Sequence, residues 1–221
     1  TREELDESKS LIGFAGAPWT LYRYMSGIKS THDIDPKEGQ YIMDRLSVYI
    51  IQHLVEQIRA GCDTVQIFDS WASDIHISHL VPYCFNPTSK IVDYIRKYYP
   101  EVGIIAFPRL IGEEVKTFTR WVNPDCINLS NDVPLEWAKD NIDIPMQGGI
   151  DPNILVNGGS VVRVTQEYID QMKNEIDALI IARDDWKSHY EISNFFLKKG
   201  VPVFIDKPLT LSEKELNFFI P

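Results

Sequence analysis

The alternation of short apolar runs with longer amphipathic segments constrains the fold of this chain more than any other feature. The apolar runs predict strands at residues 11–16, 63–68, 103–107, 126–130, 144–148, 176–182 and 201–205. The amphipathic segments predict helices at 36–60, 88–99, 112–121, 134–140 and about 187–199. Because strands that alternate with helices form parallel sheets with crossover helices, the sequence predicts an α/β fold. A closed eight-stranded barrel needs one strand more than the runs provide, so an open sheet with exposed edges remains an alternative.

The longest predicted helix, at 36–60, is the best defined. Apolar residues recur there at steps of three and four, for example at Ile42, Leu46 and Tyr49. Gly61 follows directly, where a glycine commonly ends a helix. The sequence therefore predicts a long amphipathic helix that covers one face of the sheet.

Composition excludes several classes of protein. The chain has 221 residues, 44% hydrophobic and 24% charged, which is typical of a soluble globular protein. It has no apolar run of the roughly 18 to 20 residues that a membrane span needs, and its acidic start is no signal peptide, so we expect a cytoplasmic protein. A net charge of −10 argues against binding to nucleic acid. Cys62, Cys84 and Cys126 are expected to be buried thiols of a reducing compartment.

Two strands end in segments with the composition of a binding site. Residues 13–21 read GFAGAPWTL and residues 65–71 read VQIFDSW, so each apolar run delivers polar or aromatic side chains into a turn. In parallel sheets and barrels, small-molecule sites are built at the carboxyl ends of the strands. The sequence therefore predicts a small-molecule site at the carboxyl ends of these two strands.

These segments resemble signature segments of the uroporphyrinogen decarboxylase family. A third segment, MQGGIDP at residues 146–152, is similar to the family's QGNLDP, with Gly149 where the family has asparagine. The resemblance covers about residues 10–156 and implies an incomplete (β/α)8 TIM-barrel-like parallel sheet. It also implies a carboxy-lyase of haem biosynthesis that removes CO₂ from pyrrole acetate side chains. The tetrapyrrole substrate is itself the electron sink, so no cofactor is expected.

The resemblance also suggests catalytic residues. Tyr24, in the loop expected after GAPWTL, and Ser70, after the second strand, match family positions whose hydroxyls can bind a substrate carboxylate. Arg109 follows a third strand, where a guanidinium can clamp a carboxylate. Simpler interpretations are that Tyr24 covers the core, that Ser70 caps a helix and that Arg109 forms a surface salt bridge.

Two aspartates are further substrate-binding candidates. Asp69 and Asp151 both follow predicted strands and together could provide paired carboxylates for proton transfer. Asp151 precedes a proline and could instead cap a helix. His76 and His79 lie near Cys84, but we expect them to be polar loop or helix residues and predict no metal site.

The tail of the chain carries a different resemblance. Residues 165–219 are similar to the late Rossmann strands of the Gfo/Idh/MocA oxidoreductases, with a strand, a helix, a second strand and a K-P motif in order. The resemblance implies Rossmann-like β-α-β elements and makes Lys207 a cofactor-binding candidate if the chain is an oxidoreductase. However, no G-x-G-x-x-G loop occurs anywhere in the sequence, so NAD binding is not expected.

The predicted organisation is a partial decarboxylase-like barrel at 1–156, a joint at 157–164 and a Rossmann-like segment at 165–221. The family's N-terminal arginines, its early aspartate strand and its late histidine loop have no counterpart here. We therefore expect an impaired decarboxylase that acts, if at all, as a homodimer. The alternatives are an NAD(P)-dependent oxidoreductase and a non-catalytic fold that is chimeric or truncated.

Overall fold

The computed structural model divides the chain into two compact units, Thr1–Ile150 and Asp151–Pro221. It describes residues 2–6, 9–149, 179–181, 190, 193–194, 196–198, 200–201 and 203–205. The predicted joint at 157–164 lies outside these residues. The domain boundaries at 156 and 165 stay predictions.

The first unit is built on a parallel sheet whose strands lie side by side in chain order. Its strands are β1 (Ile12–Gly16), β2 (Thr64–Asp69), β3 (Gly103–Pro108), β4 (Cys126–Leu129) and β5 (Met146–Gly148). Sequential parallel neighbours are the arrangement of a TIM-barrel wall. The α/β prediction is confirmed, and among the described residues the sheet is open and not a closed barrel.

Five α-helices accompany this sheet in the first unit. They are α1 (Pro18–Ser26), α2 (Pro36–Arg59), α3 (Asn86–Tyr98), α4 (Glu114–Val122) and α5 (Leu135–Asn141). The last four confirm the predicted helices. The expectation of a loop after GAPWTL is wrong, because α1 begins within that segment at Pro18 and continues to Ser26.

Helix α1 is set by its two ends. Pro18 occupies the first turn, where its fixed backbone angle suits a helix and its missing N–H costs nothing. Gly27 ends the helix with φ at 73°, a left-handed conformation that glycine adopts easily. The dense cluster of Gly and Pro that suggested a turn is thus a helix entrance.

Helix α2 follows the rules that predicted it. The Asp35 carboxylate accepts hydrogen bonds from the backbone N–H groups of Lys37 and Glu38, at 3.0 and 3.1 Å. Pro36 starts the helix, and Gly61 follows it with φ at 99°. This cap and stop fix the limits of the longest helix.

The helices cover one face of the sheet, called here the outer face. Its side chains on β2 and β3 join the same buried cluster as apolar residues of α2 and α3. The outer-face members on these strands are Val65, Ile67, Ile104 and Ala106. Each buried aliphatic side chain contributes about 1.5–3 kcal/mol, so this layer holds the unit together.

The second unit contains a parallel pair of strands, β6 (Leu179–Ile181) and β7 (Val203–Ile205). The two strands that the sequence predicted there are confirmed, and the described residues 190, 193–194 and 196–197 of the predicted helix are helical. None of the helices in the described part of the chain is long and apolar enough to cross a membrane.

Candidate functional site

The carboxyl ends of β2 and β3 bring three of the predicted site residues together. The Arg109 backbone N–H donates to the carbonyl of Asp69, at 3.1 Å. The Arg109 Nη1 atom lies 3.5 Å from the carbonyl oxygen of Ser70. Arg109 forms no ion pair with another described residue, so the surface salt bridge considered for it is not present there.

Tyr24 lies beside this group, on the last turn of α1. Its ring meets that of Trp71 edge to face, with 6.1 Å between centroids, and the side chain is 65% exposed. The Arg23 guanidinium stacks on the same indole at 3.6 Å and pairs with Asp74. Sequence reasoning missed Arg23 and Trp71 as site residues. Their positions next to Tyr24 and Ser70 were the available signal.

Asp69 is buried and fastens β2 to α1. Its Oδ1 atom accepts a hydrogen bond from the Thr20 hydroxyl at 2.7 Å, and the same hydroxyl accepts from the backbone N–H of Trp71 at 3.2 Å. The Oδ2 atom has no partner in hydrogen-bond geometry, although the Cys84 thiol interacts with the carboxyl. Burial raises the pKa of Asp69 to about 6, and the Thr20 hydrogen bond opposes that rise.

The other face of the sheet, called here the inner face, carries an aromatic wall of Phe14, Phe68 and Phe107. Adjacent rings meet edge to face across β1, β2 and β3, with centroid separations of 6.1 and 6.0 Å. Phe14 is 63% exposed. On β4 and β5 the wall gives way to amides, and the Gln147 Nε2 donates to the Asn128 Oδ1 at 2.9 Å. The alternation of side chains along each strand is visible in the sequence. The register between the strands, which brings the three rings side by side, is seen only in the structure.

Three histidines meet near the start of α2. The ring of His32 lies 4.9 Å from that of His76 and 4.8 Å from that of His79, centroid to centroid. The Nδ1 atoms of His76 and His79 are hydrogen-bonded to the hydroxyls of Ser78 and Thr31. Among the described residues no group of three His, Cys, Asp or Glu side chains is arranged to hold a metal ion.

Two predicted site residues, Asp151 and Lys207, lie outside the described residues.

All three cysteines are free thiols. Cys84 is fully buried as predicted, and burial raises its pKa well above the usual value. Cys62 and Cys126 are only half-buried.

A comparison with protein-family models shows which family the chain belongs to. Residues 1–182 match the model "Uroporphyrinogen decarboxylase (URO-D)", which is more than half of the sequence. The chain belongs to the uroporphyrinogen decarboxylase family. This match confirms the resemblance read from the signature segments, and it extends beyond residues 10–156 in both directions.

Individual relatives of the family support the match. A protein named uroporphyrinogen decarboxylase from Wolbachia sp. subsp. Brugia malayi (strain TRS) is 34% identical over 76% of this chain. Its namesake from Jannaschia sp. (strain CCS1) is 34% identical over 72% of the chain. The aligned parts are 51% and 50% of those two proteins, so this chain spans about half the length of its decarboxylase relatives.

The tail has a second match. Residues 157–218 match a model described as an oxidoreductase family with an NAD-binding Rossmann fold. This match confirms the second resemblance, and it overlaps the decarboxylase match over residues 157–182. It covers less than a third of the chain and does not by itself assign the chain to that family.

Proposed function

We propose that the first unit binds a porphyrinogen that carries several carboxylates and contributes to the removal of CO₂ from its acetate side chains. The observation that carries this proposal is the group of residues at the carboxyl ends of β2 and β3, in a chain that belongs to the decarboxylase family. There Tyr24 packs on Trp71, next to Ser70 in the chain, and the Arg109 guanidinium lies against the Ser70 carbonyl without an ion-pair partner among the described residues.

The aromatic wall suits the apolar part of the same substrate. Pyrrole rings pack against aromatic side chains, and edge-to-face contacts of this kind are worth about 0.5–1.5 kcal/mol each beyond the area they bury. The wall ends beside the polar group, since Phe68 directly precedes Asp69 and Phe107 lies two residues before Arg109. A ligand with an apolar ring and charged arms fits that division.

The chemistry requires no cofactor. A carboxylate must be held, the charge left by departing CO₂ must spread into the pyrrole, and a proton must be delivered. In this proposal Arg109 holds a carboxylate, and the Tyr24 and Ser70 hydroxyls bind the reacting group. Asp69 is enclosed and fastened to Thr20, so we assign it to holding β2 and α1 in place. Asp151 remains a further substrate-binding candidate.

Binding and turnover by the 221-residue chain test the proposal separately. Uroporphyrin, the stable oxidised form of the substrate skeleton, should quench the fluorescence of the chain, and Arg109→Met should weaken its binding about tenfold or more. Turnover of uroporphyrinogen should stay far below about 1 s⁻¹, because a chain of half the family length offers few of the required cations. Absence of uroporphyrin binding would overturn the proposal and favour a non-catalytic fold.

The second match supports a second candidate, an oxidoreductase that binds a dinucleotide through the tail with Lys207 beside the cofactor. The sequence argues against it, because it has no glycine-rich phosphate loop. Calorimetric titration with NAD and NADP should show no binding. A dissociation constant below about 10 μM (roughly −7 kcal/mol) would favour this candidate over the decarboxylase.

We further propose that the protein acts in the cytoplasm as a homodimer, without a nucleic-acid partner, and that its two matches reflect a chimeric chain. The net charge of −10 supports the absence of a nucleic-acid partner. The open sheet edges support self-association. Sedimentation of the purified chain would test the dimer, and the continuous reading frame around residue 157 would test the chimera.

A further inference from the structure

The turn after β3 contains a strained residue next to Arg109. Leu110 has φ at 58°, a left-handed conformation that is unfavourable for a bulky side chain. Among the described residues the only other non-glycine with positive φ is Asn123, which ends α4 and belongs to a residue type that tolerates this conformation. The conformation of Leu110 therefore has to be imposed by its surroundings.

Two side chains from the segment after β4 impose it. The Ser130 Oγ atom accepts a hydrogen bond from the Leu110 N–H at 2.9 Å. Two residues further on, Asp132 Oδ2 accepts from the Gly112 N–H at 2.8 Å, and Gly112 also has φ at 58°. Ser130 is only 8% exposed, so water competes little for its bond to Leu110.

The turn held in this way carries Arg109. On one side the Arg109 N–H is fixed to the Asp69 carbonyl, and on the other the Leu110 N–H is fixed to Ser130. The peptide units before and after the Arg109 Cα are thus both anchored, to different strand ends. This double anchoring sets the direction in which the arginine side chain leaves the backbone, toward Ser70.

We propose that Ser130 is a positioning residue, which directs the Arg109 guanidinium toward a substrate carboxylate by holding Leu110 in its left-handed conformation. This inference rests on the proposed function only for the role of Arg109. Charge-assisted hydrogen bonds to a carboxylate depend strongly on geometry, so a small shift of the guanidinium lowers affinity. In this proposal Ser130 acts through Leu110 and Arg109 and does not itself bind substrate.

The competing explanation is that Ser130 only satisfies a buried backbone N–H and so stabilises the fold. Both explanations predict a lower melting temperature for Ser130→Ala. They differ in ligand affinity, and they differ in whether the loss of affinity requires Arg109. The test therefore measures the dissociation constant of uroporphyrin together with thermal unfolding.

The binding of uroporphyrin to the full chain is measured by the quenching of tryptophan fluorescence. We expect Ser130→Ala to weaken binding about five- to tenfold. Ser130→Thr, which keeps the hydroxyl, should bind within about twofold of the original chain. Adding Leu110→Gly to Ser130→Ala should recover affinity, because glycine adopts positive φ without strain. Ser130→Cys, similar in size but a weak acceptor, provides a second variant if the alanine variant unfolds.

Arg109→Met separates the two possible failures. If Arg109→Met binds like the original chain, the role of Arg109 in the proposed function is wrong, and the positioning role is overturned with it. If Arg109→Met weakens binding and Ser130→Ala does not, only the positioning role is overturned. It is likewise overturned if Ser130→Ala weakens binding equally in the Arg109→Met background, since a positioning effect must disappear there.

Discussion

The two faces of the five-stranded sheet differ in their side chains and in how much of them is exposed. On β2 and β3 the outer face carries mainly aliphatic side chains, which are buried in one cluster with apolar residues of helices α2 and α3. The inner face carries the aromatic wall, in which Phe14 is 63% exposed, and the paired amides of Asn128 and Gln147. Among the described residues, one face of the sheet thus belongs to the buried core, and the other presents aromatic and amide side chains. The alternation of strand side chains allows both in the same residues of sequence.

Truncation of one side chain on each face tests this contrast most strongly. Ile67 on the outer face is 1% exposed, so Ile67→Ala should lower the free energy of unfolding by about 2–5 kcal/mol. Phe14→Ala on the inner face removes a larger but mostly exposed side chain and should cost less than about 1 kcal/mol. Urea denaturation of both variants gives the comparison. Equal losses would show that the inner face is also part of the stabilising core.

Asp69 is the polar exception beside the outer face, and it should make stability depend on pH. Its pKa of about 6 lies above the usual 3.8, so the folded state favours the protonated acid. Its contribution is complete below about pH 4 and is lost as pH rises through 6, a loss of about 3 kcal/mol. Asp69→Asn should lack this component. Denaturation of both proteins between pH 4 and 8 measures it, and a difference independent of pH would contradict the assignment.

Substitutions on the inner face should lower the affinity for uroporphyrin. Phe107→Ala should weaken the binding of uroporphyrin about tenfold, because it removes one ring of the aromatic wall. Tyr98→Ala is a matched control, since Tyr98 is an exposed aromatic residue on α3. Fluorescence titration of the two variants is sufficient. If the control loses as much affinity as Phe107→Ala, uroporphyrin is not bound at the wall.

The smallest effect is expected at the amide end of the inner face. Gln147→Ala removes the hydrogen bond to Asn128 between β4 and β5 and should lower the free energy of unfolding by about 1 kcal/mol. Gln147→Glu keeps the size but replaces the donor with an acceptor, so it should cost at least as much at neutral pH. A Gln147→Glu variant as stable as the original chain would mean that this bond contributes nothing to the sheet edge.

The sequence by itself determined the order of elements and the family. Apolar runs and helical periodicity predicted every described strand and helices α2 to α5. They did so because the spacing of apolar residues along the chain follows the geometric repeat of each element. The GFAGAPWTL segment indicated the family, but its Gly and Pro residues concealed α1. Local rules cannot tell a turn from a helix entrance when both use proline.

Only the tertiary structure decided which side chains meet. The aromatic wall depends on the register of β1, β2 and β3, and a one-residue shift of any one of these strands would have moved its ring to the helix-covered face. The link from Ser130 through Leu110 to Arg109 joins residues about twenty positions apart in sequence. The pKa of Asp69 likewise comes from its burial beside Thr20 and Cys84. Register, close approach between loops and burial are properties of packed strands, and no local sequence pattern specifies them.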